Sequence, residues 1–261
     1  MCRDAKAVKC EAEVVINEEI AKDIFKMVLQ TKEVAGKTKP GQFINLYSSN
    51  NALLLPRPIS ICEVDTEKET ITIVYAVVGK GTKEFSQLSQ GNNINILGPL
   101  GNGFTIDEAE KENIVVGGGV GTPPLLELVK HLKGNTKIFL GFRSESYLVE
   151  EFKKYGEVYI ATDDGSFGEK GTVVDLMNKH IKNKGQIYSC GPKPMLKAVR
   201  DWSIKNNVKA QLSLEERMGC GFGACVGCVV KIKENNEIGY VHKKVCKDGP
   251  IFLATEVIFG E

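Results

Sequence analysis

Asn113-Ile114-Val115-Val116-Gly117-Gly118-Gly119-Val120-Gly121-Thr122-Pro123-Pro124 reads as a short buried strand, a turn stripped of side chains and the opening of a helix. Thr122 is placed to cap that helix, expected over Pro123–Leu132, and proline suits a first helical turn because its missing N–H is not needed there. The alternation then repeats: strand Lys137–Phe142, helix Ser146–Tyr155, strand Val158–Thr162, helix Val173–Lys179, strand Gln186–Ser189, helix Pro194–Ile204. That rhythm predicts an α/β unit built on a parallel sheet. The glycine run departs from the Rossmann fingerprint, since Pro124 stands where the third glycine of G-x-G-x-x-G belongs when counted from Gly119. It still leaves a bare turn that a pyrophosphate could approach closely; a tight strand–helix turn is the plainer reading. The last strand runs into Cys190-Gly191-Pro192, at the carboxyl end where open α/β sheets bind ligands. Taken alone, Cys190 would more often be a packed strand residue.

Upstream, residues 1 to about 108 read as antiparallel β. Val8–Ile16, Ile24–Leu29, Phe43–Tyr47, Ile59–Val64, Thr70–Val78 and Asn93–Leu97 are short and rich in β-branched residues. Ile71, Ile73, Tyr75 and Val77 give the clearest alternation. Six such strands predict a small closed barrel, interrupted by one helix that Thr82 would cap and that runs through Phe85 and Leu88. Arg57-Pro58-Ile59-Ser60 sets a cation, a fixed φ and a hydroxyl at the start of a strand. Gly79-Lys80-Gly81-Thr82 sets free N–H groups at a helix start, where phosphate is favoured. Each is weak alone; on one barrel they reinforce each other.

Downstream lies Cys220-Gly221-Phe222-Gly223-Ala224-Cys225-Val226-Gly227-Cys228, answered by Cys246, with the spacing C-x4-C-x2-C-x17-C. Zinc also takes four thiolates, but usually from two separate C-x2-C turns. Here three cysteines share one loop among Gly219, Gly221, Gly223 and Gly227, whose backbone N–H groups can turn toward sulfur. The spacing is the plant-type pattern for a 2Fe-2S cluster, with structural zinc and plain reduced thiols as the alternatives. The last 45 residues or so are too few for a core of their own, so metal is expected to organise them.

Composition bounds the rest. The 261-residue chain is 42% hydrophobic and 26% charged with a net charge of +1, ordinary for a globular protein of two domains plus an appendage. There is no clustered basic face for nucleic acid, no apolar run of about 20 residues to span a bilayer and no signal-peptide core at the N-terminus. Eight cysteines, four of them assigned to the cluster, fit a reducing cytoplasm better than a disulfide framework. Cys2, Cys10 and Cys62 are expected to be inert thiols, and His131, His180 and His242 share no ligand spacing. The domains expected are 1–108, 109–210 and 211–261.

A barrel with R-P-x-S, an α/β unit opening on GGGVGTPP and a later CGP together resemble the ferredoxin–NADP reductase superfamily over residues 8–207. With LEERMGCGFGACVGCVVKIK and KKVCKDGPIF the whole chain resembles the electron-transfer subunits of class 1B dihydroorotate dehydrogenases. The resemblance implies an FAD site at Arg57, Pro58, Ile59 and Ser60, with Arg57 on the pyrophosphate, completed by Val74, Tyr75, Ala76, Gly81 and Thr82. It implies that Cys220, Cys225, Cys228 and Cys246 ligate 2Fe-2S. Gly118, Gly119, Gly121 and Cys190-Gly191-Pro192 would face NAD. It further implies an FMN-containing catalytic partner in a heterotetramer of two copies of each chain, acting in de novo pyrimidine (UMP) biosynthesis. No acid–base residue of this chain need be catalytic. The alternative is the small subunit of a ferredoxin–NADP transhydrogenase or sulfide dehydrogenase, which carries the same modules. Arg143-Ser144 could accept the 2′-phosphate of NADP and Glu145 would repel it, so the residues alone leave NAD against NADP open.

Overall fold

The computed structural model describes residues 7–183 and 185–260; Cys2 lies outside them. The first six strands are β1 (Val8–Ala21), β2 (Ile24–Gln30), β3 (Phe43–Tyr47), β4 (Arg57–Asp65), β5 (Thr70–Ala76) and β6 (Asn93–Leu100). They close into an antiparallel barrel in the order β1-β2-β5-β4-β3-β6. Alternation decides what fills it: Val14, Met27, Leu29, Ile44, Leu46, Ile71 and Ile73 are buried inside. Their neighbours Phe43 and Val74 are buried on the other face of the strands, against the rest of the chain.

Two short helices accompany the barrel, α1 (Lys32–Ala35) and α2 (Lys80–Phe85). The sequence hid α1, a single turn. In α2 the cap is Gly79, not Thr82. Thr82 sits in the third helical position, and its hydroxyl accepts the N–H groups of Val78 and Gly79 at 3.0 and 3.2 Å. The hydroxyl reaches back to satisfy the approach to the helix rather than its first turn.

The second unit carries β7 (Glu112–Gly118), β8 (Asn135–Phe142), β9 (Glu157–Thr162), β10 (Glu169–Lys170), β11 (Gln186–Cys190) and β12 (Ala210–Ser213). Between them run α3 (Pro124–His131), α4 (Val149–Phe152), α5 (Val173–His180) and α6 (Lys193–Asn206). The strands form a parallel sheet in the order β10-β9-β8-β7-β11-β12. Strand order therefore reverses between β7 and β11, which sets the Gly117–Gly121 turn beside Gly191-Pro192. Two helix starts differ from expectation. Thr122 does not cap α3: Pro123 stands at that cap, Thr122 closes the preceding 3-10 turn at Gly119–Gly121, and its hydroxyl is buried without a partner. And α4 is four residues long because Leu148 takes a left-handed φ of 62°, which no helix continues through.

In the C-terminal segment, β13 (Val229–Lys233), β14 (Tyr240–Lys244) and β16 (Val257–Ile258) form a small antiparallel sheet, with α7 (Val245–Asp248) holding Cys246. The segment does not stand alone. Strand β15 (Ile251–Leu253) pairs antiparallel with β12 and extends the large sheet to seven strands. Cys228, Ile232, Val245 and Cys246 share one core with Phe43 of the barrel and Leu212 of the sheet. A segment too small to bury its own apolar surface borrows that of its neighbours.

Candidate functional site

Of the nine flavin-site candidates, Pro58, Ile59, Ser60, Val74, Tyr75, Ala76 and Thr82 line one cavity of about 310 Å³ on the face of β4 and β5. The other two, Arg57 and Gly81, meet each other beside it. The Arg57 guanidinium lies across Gly81 so closely that any Cβ there would collide with it. A bare backbone under a guanidinium is what an arginine needs to reach a phosphate held against a helix start. Two further residues of this cavity matter. Val120, from the glycine turn after β7, lines it from one side, and Met218, just ahead of the cysteine loop, lines it from another. Walls of this kind, on β4 and β5 with Arg57 beside them, are suited to hold a flat flavin dinucleotide.

The carboxyl ends of the parallel strands surround a second cavity of about 370 Å³. Gly118, Gly119 and Pro192 line it. Gly121, Cys190 and Gly191 build its wall instead: a Cβ on Gly121 would lie 2.5 Å from the Gly191 backbone, so this contact admits glycine alone. Cys190 is fully buried and burial pushes its thiol up, so it acts as packing. Gly191 opens onto a third cavity, about 420 Å³, on the far side of the same turn.

Sequence reasoning missed Asp163 and Thr172, which face the second cavity together with Arg143. The available signal was position, since Asp163 follows directly on the carboxyl end of β9. Glu145, weighed for this role, is engaged elsewhere: its carboxylate accepts the Lys22 N–H of the barrel at 2.9 Å. Glu215, also missed, lines both the flavin cavity and the third cavity. Enclosure by the protein pushes its carboxyl up, although solvent still reaches it.

The cysteine loop is drawn tight by glycines. Gly221 and Gly223 take left-handed φ values of 72° and 92°, conformations in which a side chain is strained. Lys244 Nζ donates to the Gly223 carbonyl at 2.7 Å and pins the loop tip. Two of the four sulfurs each receive a backbone N–H from another cysteine of the set. Cys225 N–H lies 3.3 Å from Cys220 Sγ, and Cys246 N–H lies 3.5 Å from Cys228 Sγ. Among the described residues no three His, Cys, Asp or Glu side chains converge on a single ion position. The C-x4-C-x2-C-x17-C spacing suits a group with two metal atoms better than one tetrahedral ion.

Burial raises the Cys220 thiol, but N–H groups of Cys225, Phe222 and Ala224 outweigh it and bring it down to about 6. Burial and the neighbouring Cys228 push Cys246 up to about 12. Cys220 is therefore set for anionic sulfur by the surrounding backbone, whereas Cys246 lies deep enough to need a metal's charge to ionise. Phe222, Ala224 and Val226 all point outward, with Phe222 52% and Val226 71% exposed.

Comparison with known proteins matches two of these zones to family models. Residues 215–258 match the family model described as the iron-sulfur cluster binding domain of dihydroorotate dehydrogenase B, and residues 115–201 match the oxidoreductase NAD-binding domain. The dihydroorotate dehydrogenase B (NAD(+)) electron transfer subunit of Caldanaerobacter subterraneus subsp. tengcongensis is 45% identical over 252 residues, covering 96% of this chain and 99% of its own length. The protein of the same name from Listeria monocytogenes is 44% identical over 257 residues, with the same coverage. A solved structure of an NADH-dependent reduced ferredoxin-NADP oxidoreductase superposes with a TM-score of 0.85 at 29% identity, over 95% of this chain and 89% of that one. A ferredoxin reductase of carbazole 1,9a-dioxygenase, at 21% identity and a TM-score of 0.66 over 77% of this chain and 67% of its own, shares the fold.

Proposed function

The chain belongs to the family of electron-transfer subunits of NAD-dependent dihydroorotate dehydrogenase B, and from that premise we propose that its three zones form one redox line between a catalytic partner and NAD⁺. The observation that carries this reading is the flavin cavity itself. Val120 of the nucleotide turn and Met218 of the cysteine segment both enter its lining, so the three zones share one space. The alternative, a transhydrogenase-type small subunit, is less favoured, since the structure of that kind shares 29% identity against 45% for the dihydroorotate dehydrogenase relative.

When bound, the flavin exchanges hydride with the nicotinamide and single electrons with the cluster. The protein's part is to bind and orient. Arg57, laid over the bare backbone of Gly81, would hold the FAD pyrophosphate; Pro58, Ile59, Ser60, Val74, Tyr75 and Ala76 would wall the ring. Gly118, Gly119 and Pro192 would take the nicotinamide dinucleotide, with Gly121 and Gly191 keeping their two turns in contact. Cys220 with Cys225, and Cys228 with Cys246, would each hold one iron. The catalytic partner is an FMN-containing dihydroorotate dehydrogenase subunit, two of each chain forming the complex. The three described cysteines outside the cluster set, Cys10, Cys62 and Cys190, form no disulfide, which suits a reducing, cytoplasmic setting.

Anaerobic purification tests the reading. The chain should carry about one FAD, two irons and two acid-labile sulfides, and added catalytic subunit should co-elute with it and confer NAD⁺-dependent dihydroorotate oxidation. Stoichiometric zinc without sulfide would sink the cluster assignment, and reduction of ferredoxin without dihydroorotate oxidation would favour the alternative.

A further inference from the structure

Asn45 stands at the middle of β3, between Ile44 and Leu46, which point into the barrel. It points the other way and is fully buried. Its Nδ2 donates to the carbonyl oxygen of Cys220 at 3.0 Å, and its Oδ1 has no partner. Gly221 packs directly on the amide, since a Cβ added there would lie 2.5 Å from both Nδ2 and Oδ1. A buried side-chain amide with half its hydrogen bonding unmet is costly as mere filling, and an apolar residue would serve that purpose better.

What the amide grips matters. A trans peptide is planar, so its C=O and N–H point in opposite directions. Drawing the Cys220 carbonyl toward the barrel turns the Gly221 N–H away from it, into the loop. Beyond it, the Cys225 N–H lies 3.3 Å from Cys220 Sγ, and the backbone of Phe222 and Ala224 also favours its thiolate. Donors aimed at a cluster sulfur favour the more negative, reduced state and raise the potential. The grip also comes from a telling place: Asn45 is the cross-strand partner of Pro58, which lines the flavin cavity.

We propose that Asn45 is a positioning residue for electron transfer: from the flavin-bearing face of the barrel it fixes the Cys220–Gly221 peptide, aims the loop N–H groups at the Cys220 sulfur and raises the reduction potential of the cluster. The inference rests on the assignment of Cys220 as a cluster ligand. It makes the barrel an active part of the cluster's environment, although every cysteine ligand lies outside it.

The test uses the whole chain purified anaerobically with FAD, as wild type, Asn45→Leu and Asn45→Asp. Leucine removes the donor without adding charge; aspartate keeps the shape and, when ionised, cannot donate. Redox titration followed by electron paramagnetic resonance reads the cluster potential directly, whatever the activity. Both variants should keep iron, sulfide and FAD near wild-type content and shift the potential to more negative values by at least 59 mV, a tenfold change for a one-electron couple. An unchanged potential with the cluster intact overturns the proposal. Loss of the cluster from both variants also overturns it, because Asn45 would then serve assembly and not tuning. Wild-type chain without iron and sulfide would instead fail the ligand assignment on which it rests.

Discussion

Glu127, on the first helix of the nucleotide unit, accepts the backbone N–H of Val64 on barrel strand β4 at 2.9 Å. The same carboxylate takes Lys130 Nζ at 2.9 Å and His131 Nε2 at 2.9 Å, and Lys130 Nζ also donates to the Val64 carbonyl at 3.0 Å. With its side chain 7% exposed, Glu127 is a buried charge that both closes helix α3 on itself and welds it to the barrel. Burial disfavours the charged Lys130, yet the hydrogen bond and charge of Glu127 outweigh it and raise that lysine's pKa. Together with the shared core of Phe43, Leu100 and Val116, this joint holds the barrel against the nucleotide unit.

Glu127→Ala strands the Val64 N–H and the Lys130 ammonium, and removing one partner of a buried charged network costs about 3 kcal/mol. Denaturant titration should show a loss of that order, with Glu127→Gln intermediate because the amide still accepts from Val64. A loss below about 0.5 kcal/mol, as for an exposed ion pair, would show the joint to be inert.

Much of this architecture was legible because it rests on local rules. The alternation of Ile71, Ile73 and Tyr75 places all three in the barrel core, and the cysteine spacing alone singles out the loop. What escaped depends on distant partners. Ile251–Leu253 is a three-residue strand only because β12 offers a free edge, and Asn45 looks like any strand residue until Cys220 folds onto it. Asp163 is an ordinary turn aspartate until β8 and β9 bring it beside Arg143 and the glycine turn. The two misplaced caps share one cause. Thr82 and Thr122 each stand at the boundary of a glycine-rich turn, where the residue types permit several helix starts and tertiary packing selects one.

The second prediction concerns the nicotinamide cavity. Asp163 lines it, whereas its neighbour Asp164 is turned aside, accepting the N–H and hydroxyl of Ser166 at 2.9 and 2.6 Å. A free carboxylate at the end of a parallel strand suits a ribose hydroxyl and repels a 2′-phosphate. Asp163→Asn leaves Arg143 unopposed there, so kcat/KM for NADPH in dye reduction should rise about tenfold, the equivalent of 1.4 kcal/mol. The corresponding value for NADH should change far less. Equal response of the two would place the adenosine ribose elsewhere.

The third prediction separates the two halves of the electron path. Cys225→Ser removes one member of the Cys220/Cys225 pair and leaves the walls of the flavin cavity untouched. FAD content and NADH-to-dye activity should stay near wild type, while iron and sulfide fall and NAD-linked dihydroorotate oxidation with the catalytic subunit is lost. Loss of both activities with FAD still bound would mean that flavin and cluster are not in series.

The last prediction concerns the partner surface, and it follows from the direction of three side chains. Cys228 and Cys246 are 1% and 2% exposed, whereas Phe222 and Val226 on the same loop are 52% and 71% exposed. The loop thus turns Cys228 inward and its apolar side chains outward, with Cys220 and Cys225 half-buried between them. Tunnelling between redox groups needs a short gap, so the catalytic subunit must approach this surface, and an exposed aromatic there has the character of an interface anchor. Phe222→Glu should leave iron, FAD and NADH–dye activity unchanged, because the ring shields nothing. Placing a carboxylate where an aromatic anchor is desolvated should weaken the complex by at least 2 kcal/mol, about thirtyfold in Kd. Sedimentation or calorimetric titration with the catalytic subunit reads this directly. Unaltered affinity would place the partner on another face, and loss of iron from the variant would assign Phe222 to the cluster's own support.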